Sequence, residues 1–454
     1  MKDFDYRGLK EKGMKKFAAI DHESILNKLI SNELGLIINF PKQDREEIQK
    51  YQINKLSKLA DYAFTNIPLY KRKFDSVGFK PGDIKSFNDF EQLPILHKDE
   101  LIEAFPYGIV KNLDDLKFST RSSGSSGRFV TIAVDLKAIY TDTLQGIRQF
   151  LQQSDFQYRE EDSVLFIYTD PWWITQIDGK YKQDFLPTTT KPQDALKHIK
   201  KHPPLILNTY PTYLQKLCEL ETKLSDYGVK YVIVHSEQSD KKSRMDMGKV
   251  LGVQVRDEYS SEELTRIALE CKNDNYHLEE DSCYVEVLDS ITRQKINKGT
   301  GLVVGTNLLN HATPIIRYYQ GDMVTIDSDK QCECGHNGRI LTEIQGREMD
   351  CILSKGKRIP ASAFMDVAYN WYLTHKIPIH SMKYQIAQMS ENELNIFLKK
   401  GAFELTADDL AAIKNSMYSL VDKDMSINIS LAGRFIQRSN KFKPVINLME
   451  NKEK

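Results

Sequence analysis

Seven consecutive residues, Ser122-Ser123-Gly124-Ser125-Ser126-Gly127-Arg128, carry the densest set of phosphate-binding groups in the 454-residue chain. Two glycines let the backbone turn tightly, successive amides can form a concave anion nest, and hydroxyls plus a guanidinium add donors for phosphate oxygens. The run is no Walker A loop, because no Gly-Lys-Ser/Thr follows it into a helix. Taken alone it reads equally well as a flexible Ser/Gly surface loop. Other candidates are single residues. Glu262 and Glu263 are adjacent acids in DEYSSEE, Asp322 follows Gly321, and Lys441 and Lys443 lie near the C-terminus. Isolated, each has a bland reading, as a solvated acid pair, a turn residue and solvated lysines.

Cysteine and histidine form a further group. Cys271 and His277 flank the polar turn KNDNY, and Cys332 and Cys334 lie in QCECGHNG after an apolar segment. If the two turns meet, three thiolates and an imidazole make a tetrahedral donor set suited to structural zinc, with His336 as a competing ligand. Cys218, Cys283 and Cys351 sit among apolar residues and read as core.

These residues need a frame. Apolar positions at helical spacing predict a helix over 44–66 that stops before Pro68, and another carrying Leu144, Ile147 and Leu151. Strand-like VLFIY, LILN, YVIV and VQVR follow, with a helix bearing Leu217, Leu220 and Leu224 among them. That alternation predicts an α/β domain with a parallel, covered sheet. After about Glu263 the segments CYVEVLD, GLVVGTN and PIIRYYQGDMVTID are joined by short turns and predict an antiparallel subdomain. Beyond Arg347 a helix over 361–375, strands around Tyr384, Ile386 and around Leu394, Ile396, Leu398, and a helix opening on Thr406 with Asp409 predict a small α+β domain. That last helix is expected to bury Leu410, Ile413, Met417 and Leu420. The expected division is 1–346 for the large domain and 347–454 for a small, mobile one.

The ordered series NIPLYKRKF, LPILHKDELIEAFPYGIV, RSSGSSGRFV, HSEQ, DEYSSEE, PIIRYYQGDM, IQGREMD and RSNKFKPVI resembles the adenylate-forming superfamily, specifically its phenylacetate-CoA ligase branch, over nearly the whole chain. The resemblance implies an AMP-forming acid-thiol ligase that uses ATP, Mg2+ and CoA. It places the Ser122–Arg128 loop on the phosphates, Tyr259 against adenine and Glu263 on magnesium. Asp322 would accept hydrogen bonds from both ribose hydroxyls, and Arg347 would lie beside the ribose at the domain border. Lys441 would be the catalytic lysine carried by the mobile domain. Ser260, Glu262, Met349 and Asn440 depart from the pattern, so Glu262 competes with Glu263 for the metal and the hinge residue is not assigned. Asp322→Asn is expected to weaken ATP binding with little change in thermal stability.

Composition sets the outer bounds. Lys plus Arg and Asp plus Glu each number 63, so no net charge draws the chain to nucleic acid. The N-terminal run lacks the apolar stretch of a signal peptide or membrane anchor. Six cysteines without a secretory signal imply a cytoplasmic, reducing setting. Tyr168, Trp172, Trp173, Tyr210 and Tyr213 would suit an aryl acid or serve equally as core. The acceptor could instead be an amine or a free-standing carrier protein, the short segment after Lys441 leaving no room for a fused one, or the chain could be a non-catalytic nucleotide-binding relative. The identity of the acid and the oligomeric state are not legible.

Overall fold

The computed structural model describes residues 6–122, 129–375, 383–400, 404–437 and 441–449. Helix α1 (Arg45–Asn66) starts after Asp44 and ends before Pro68, with Ile48, Leu56, Leu59 and Ala63 fully buried. A short hairpin, β1 (Ser119–Arg121) and β2 (Thr131–Ala133), leads into α2 (Leu136–Gln153), whose Leu144 and Ile147 are buried.

Next come the parallel strands β3 (Ser163–Tyr168), β4 (Lys182–Pro187), β5 (Ile206–Thr209), β6 (Tyr231–His235) and the first half of β7 (Gln254–Ser261). Helices α3 (Pro192–Lys201), α4 (Pro211–Cys218) and α5 (Lys241–Leu251) connect them. Side chains alternate across these strands, so both faces must be covered. Leu165, Ile167, Leu207, Val232 and Val234 pack against α3–α5, and Val164, Phe166, Ile206 and Ile233 pack with Phe150 of α2. Helix α4 is shorter than the sequence pattern suggests. It ends at Cys218, the chain turns through Glu221 in the left-handed region, and Leu224 opens a separate helical turn.

The expected antiparallel subdomain is not a separate sheet. Residues 254–258 of β7 pair parallel with β6, and residues 258–261 pair antiparallel with β8 (Thr265–Glu270). Through that double pairing, β9 (Tyr276–Leu278), β10 (Cys283–Leu288), β11 (Lys298–Asn307), β12 (Tyr318–Asp327) and β13 (Ile340–Arg347) join one 11-stranded sheet. Strand β7 is therefore a topological switch, the place where ligands gather in open α/β sheets.

Past Arg347 a small hairpin, β14 (Ile352–Ser354) and β15 (Lys357–Ile359), precedes α6 (Ala361–His375). Strands β16 (Tyr384–Ser390), β17 (Glu393–Lys399), β18 (Ser426–Ala432) and β19 (Val445–Asn447) form a four-stranded sheet in the order β18-β17-β16-β19. Helix α7 (Ala407–Met417) begins with a capping box between Thr406 and Asp409. Residues from Ile352 to Val445 build their own core, with Phe364, Trp371, Ile386, Ile396, Ile413 and Met417 fully buried. Leu410 does not join it and is 38% exposed. Cys283 and Cys351 are fully buried and Cys218 half-buried. Among the described residues no helix is long and apolar enough to cross a membrane.

Candidate active site

The carboxyl ends of β3, β5, β6 and β7 open into a cavity of about 2030 Å³, roofed by residues past Arg347. The turn from β7 to β8 projects Glu262 and Glu263 into it. That turn is fastened by Asn307, whose Nδ2 donates to the Glu263 carbonyl at 3.1 Å, and by Leu264, whose amide donates to Ser261 Oγ at 3.1 Å. Leu264 in turn needs Gly305, where a Cβ would lie 2.0 Å from Leu264 Cδ1. Glu262 Oε2 accepts from Thr120 Oγ1 at 2.6 Å, and Glu263 Oε1 accepts from the Tyr318 hydroxyl at 3.3 Å. Burial raises both carboxyl pKa values, and the charge of Glu263 raises Glu262 further. A cation between them would relieve that cost, so the pair fits a divalent metal with oxygen preference.

Of the Ser122–Arg128 run only the first residue is described, with the hairpin on either side of it. Ser122 and Val130 pair across the hairpin, the Ser122 amide donating to the Val130 carbonyl and the Val130 amide to Ser122 Oγ, both at 3.0 Å. Ser119, Thr120, Arg121 and Ser122 line the cavity. Ser123, Gly124, Ser125, Ser126, Gly127 and Arg128 lie outside the described residues.

Asp322 and Arg347 are paired across β12 and β13, and Arg347 Nε forms an ion pair with Asp322 Oδ1 at 3.1 Å. The other carboxylate oxygen accepts from the Tyr259 hydroxyl at 2.7 Å. Two consequences follow. Tyr259 is buried in the main core, and neither it nor Asp322 is among the residues lining the cavity, although the resemblance implies a place for Tyr259 against adenine and for Asp322 on the ribose. Asp322 also holds two protein donors, so its replacement must cost stability, against the expectation of little change. Gly346 lets β13 reach this point. Its φ is +102°, and a Cβ there would lie 2.8 Å from Gln238 Oε1.

The two lysines separate clearly. Lys443 Nζ pairs with Asp350 Oδ2 at 2.5 Å, whereas Lys441 lines the cavity. Burial pulls the Lys441 pKa down, and the carboxylates of Glu237, Glu262 and Glu263 oppose that shift. The roof is tied to α5 by Tyr369, whose hydroxyl donates to Asp246 Oδ2 at 2.6 Å, and to β13 by Ser362, whose Oγ donates to Gln345 Oε1 at 2.7 Å. Met349 lines the cavity close by.

No family model matches the chain. Curated relatives do. Phenylacetate-coenzyme A ligase of Aromatoleum evansii is 25% identical over 331 residues, covering 69% of this chain and 74% of that one. The ligase of the same description from Thermus thermophilus is 23% identical over the same shares. Among solved structures, a 2-hydroxyisobutyryl-CoA ligase in the postadenylation state superposes with a TM-score of 0.73 at 19% identity, over 90% of this chain and 91% of that one. The chain has the fold of the adenylate-forming acyl-CoA ligases. The TM-score falls to 0.58 for the thioesterification state of the same 2-hydroxyisobutyryl-CoA ligase over nearly the same coverage.

A second cluster lies at the strand ends of the antiparallel half where β8 turns into β9 and β12 leads to β13. The ligand atoms of Cys271, His277, Cys332 and Cys334 all lie within 4.8 Å of one another. Cys271 Sγ is 3.7 Å from Cys332 Sγ, and Cys334 Sγ is 3.2 Å from His277 Nε2. Tetrahedral zinc with Zn–S of about 2.3 Å requires sulfur separations near 3.8 Å, so the donor set fits that ion. His277 Nδ1 faces the Gly338 carbonyl at 3.4 Å, which leaves Nε2 for a metal. His336, the competing ligand, instead engages Glu279 Oε1 at 3.2 Å and the Gly338 amide at 2.9 Å.

Among the cavity residues to which sequence reasoning gave no role are Thr120, Glu237 and His235. The segment HSEQ pointed to the last two, and Ser236 within it adopts φ +68°, a strained conformation that keeps the strand end open toward the cavity.

Proposed function

We propose that the protein activates a carboxylic acid with ATP to an acyl-adenylate and then transfers the acyl group to the thiol of CoA. One observation carries this reading. Lys441, from the roof, meets Glu262 and Glu263, from the β7–β8 turn, inside a single cavity at the sheet's topological switch.

In the first half-reaction the substrate carboxylate oxygen attacks the α-phosphorus of ATP in line, and the bond to pyrophosphate breaks. Lys441 offers a desolvated cation to the charge that develops on the α-phosphoryl oxygens and the incoming carboxylate. The Ser122–Arg128 loop takes the leaving pyrophosphate, and Asp322 with Arg347 takes the ribose. Glu263, with Glu262 beside it, would hold Mg2+, which supplies charge neutralisation on the phosphates when bound. In the second half-reaction residues 347–454 turn away from the large part, residues 1–346, and Lys441 leaves with them. The thiolate of CoA then attacks the acyl carbonyl carbon and AMP departs. The Cys271, His277, Cys332 and Cys334 cluster holds structural zinc and pins the β8–β9 turn to the β12–β13 connection. We place the protein in the cytoplasm, since none of its six cysteines is in a disulfide and three of them make up the proposed zinc site, which fits a reducing compartment.

Exchange of labelled pyrophosphate into ATP, measured across a panel of acids, tests the reading. Acid-dependent exchange with subsequent acyl-CoA formation is expected, and exchange with no acid at all would remove the proposal. Replacing CoA by amines in the same assay should abolish product.

A further inference from the structure

The cavity extends beyond Lys441 into a compartment between α2 and the sheet. Its walls there are aromatic. Phe166 packs edge-on against Phe150 at 6.1 Å and against Trp172 at 6.0 Å between ring centroids. Yet two polar side chains are set into this apolar ground. Asn208 lies on β5 opposite Phe166 of β3, and His235 ends β6. Asn208 is 2% exposed and His235 6%, and both line the cavity. Asn208 Oδ1 and His235 Nε2 find no hydrogen-bond partner among the described residues. Buried polar atoms are rarely left unpaired, so each such atom in a cavity wall points to a group that arrives with the ligand.

Of the neighbouring polar groups, Glu258, Gln149 and Arg266 are already engaged, whereas Gln183 Oε1 on β4 is also without a partner among the described residues. Glu258 Oε2 accepts from Gln149 Nε2 at 2.6 Å, and Gln149 Oε1 accepts from Arg266 Nε at 2.5 Å. Arg266 is also paired with Asp142 and lies over the Trp172 ring. Its charge is spent on these partners, so an anionic tail has no claim on it. His235 Nδ1 faces Ser236 Oγ at 2.9 Å, and burial holds the ring pKa down to about 4. A neutral imidazole with Nδ1 so engaged presents one donor or one acceptor at Nε2. A hydroxyl suits both orphaned atoms, since it donates and accepts; an alkyl or unsubstituted aryl edge would leave them unpaired.

We infer that the acid activated here is an aromatic acid carrying a hydroxyl substituent, recognised by Asn208 and His235 between the walls of Phe150, Phe166 and Trp172. This rests on the acyl-adenylate reading above. A site built to hydrogen-bond a substrate hydroxyl rejects the analogue that lacks it far more strongly than an apolar pocket rejects an added one.

The test is pyrophosphate exchange with matched pairs: phenylacetate against its monohydroxy isomers, benzoate against hydroxybenzoates, and cinnamate against hydroxycinnamates. In at least one pair the hydroxylated acid should exceed its plain partner in kcat/KM by about tenfold or more. In Asn208→Val that ratio should collapse toward one through a raised KM for the hydroxylated acid, with plain acids unchanged or improved. His235→Phe, which keeps an aromatic ring in place, should act in the same direction if the first variant does not fold. Plain acids that match or exceed their hydroxylated partners in every pair overturn the inference. Exchange with neither member of any pair, while an aliphatic acid supports it, overturns this inference alone; exchange with no acid of the wider panel overturns the activation reading itself, and this inference with it.

Discussion

Replacing Asp322 by Asn separates nucleotide recognition from structural support, because the carboxylate serves both. In the protein one oxygen accepts from the Tyr259 hydroxyl at 2.7 Å and the other forms an ion pair with Arg347 Nε at 3.1 Å. An amide keeps one acceptor and turns the other position into a donor, which then faces either a hydroxyl or a guanidinium N–H. One bond to a charged acceptor is lost, worth about 1.5–3 kcal/mol, and the Arg347 attraction is weakened further. Part of that second contribution is screened, since the Arg347 side chain is 43% exposed. Stability should therefore fall by about 1.5–3 kcal/mol. If ribose hydroxyls also donate to Asp322, ATP affinity falls by about tenfold to a hundredfold, since each 1.4 kcal/mol is a factor of ten. Tyr259→Phe supplies the control. It removes one protein donor and leaves the carboxylate intact, so melting should drop while the ATP dissociation constant stays within a few-fold. Calorimetric titration with ATP in the absence of acid, alongside thermal melts, reads both quantities. An Asp322→Asn protein that melts early yet binds ATP within twofold of the parent would refute the ribose role and leave Asp322 a structural carboxylate.

Three further outcomes are expected. Tyr369→Phe removes the 2.6 Å bond to Asp246 that ties the roof to α5, and should slow adenylate formation by up to about tenfold while sparing thioester formation from supplied acyl-adenylate; equal effects on both half-reactions would contradict it. Zinc should be found at one ion per chain by elemental analysis of protein purified without added metal, and freely titratable thiols at Cys271, Cys332 and Cys334 in the folded protein would exclude it. Burial alone would raise the Glu280 pKa, but the guanidinium groups of Arg339 and Arg45 outweigh it and hold the carboxyl at about 2. That pairing stabilises the fold above the unfolded carboxyl pKa near 4.5 and is lost as pH falls toward 2. Melting temperature should thus drop over that interval, and Glu280→Gln should melt lower at neutral pH with a shallower acid slope; an unchanged slope would remove Glu280 from the acid transition.

Much of this architecture is legible from periodicity. Strands buried on both faces read as continuous apolar runs, as in VLFIY, and the Thr406 and Asp409 cap marks α7 because its hydrogen bonds are local. What stays hidden depends on long-range pairing. Strand β7 changes partners and sense at Glu258, so one sheet replaces two, and nothing in the local pattern of QVRDEYSS encodes that. The site shows the same division. Residue types and motif order bring out Glu263 and Lys441, both of which line the cavity, but the choice between Lys441 and Lys443 needs Asp350, which lies 93 residues from Lys443 in sequence. Asn208 reads only as part of a strand, because its unpaired Oδ1 is a property of the packed cavity and not of LILN. Tyr259 was legible as a motif residue, yet its hydroxyl is directed by Asp322 across the sheet, a partner that sequence spacing does not reveal.

The account stands most directly on Lys441, and the decisive measurement compares the two half-reactions in Lys441→Ala. The ammonium lies in the cavity with Glu237, Glu262 and Glu263 as its charged neighbours, while Lys443 is occupied by Asp350. Loss of one preorganised donor to a developing charge costs roughly a hundredfold to a thousandfold in rate. Pyrophosphate exchange in Lys441→Ala should fall by that factor, with ATP binding nearly intact and acyl-CoA formation from synthetic acyl-adenylate within a few-fold of the parent. Lys443→Ala should keep exchange within a few-fold. Exchange that survives in Lys441→Ala, or a loss shared equally by both half-reactions, would contradict the assignment of adenylate formation to this centre.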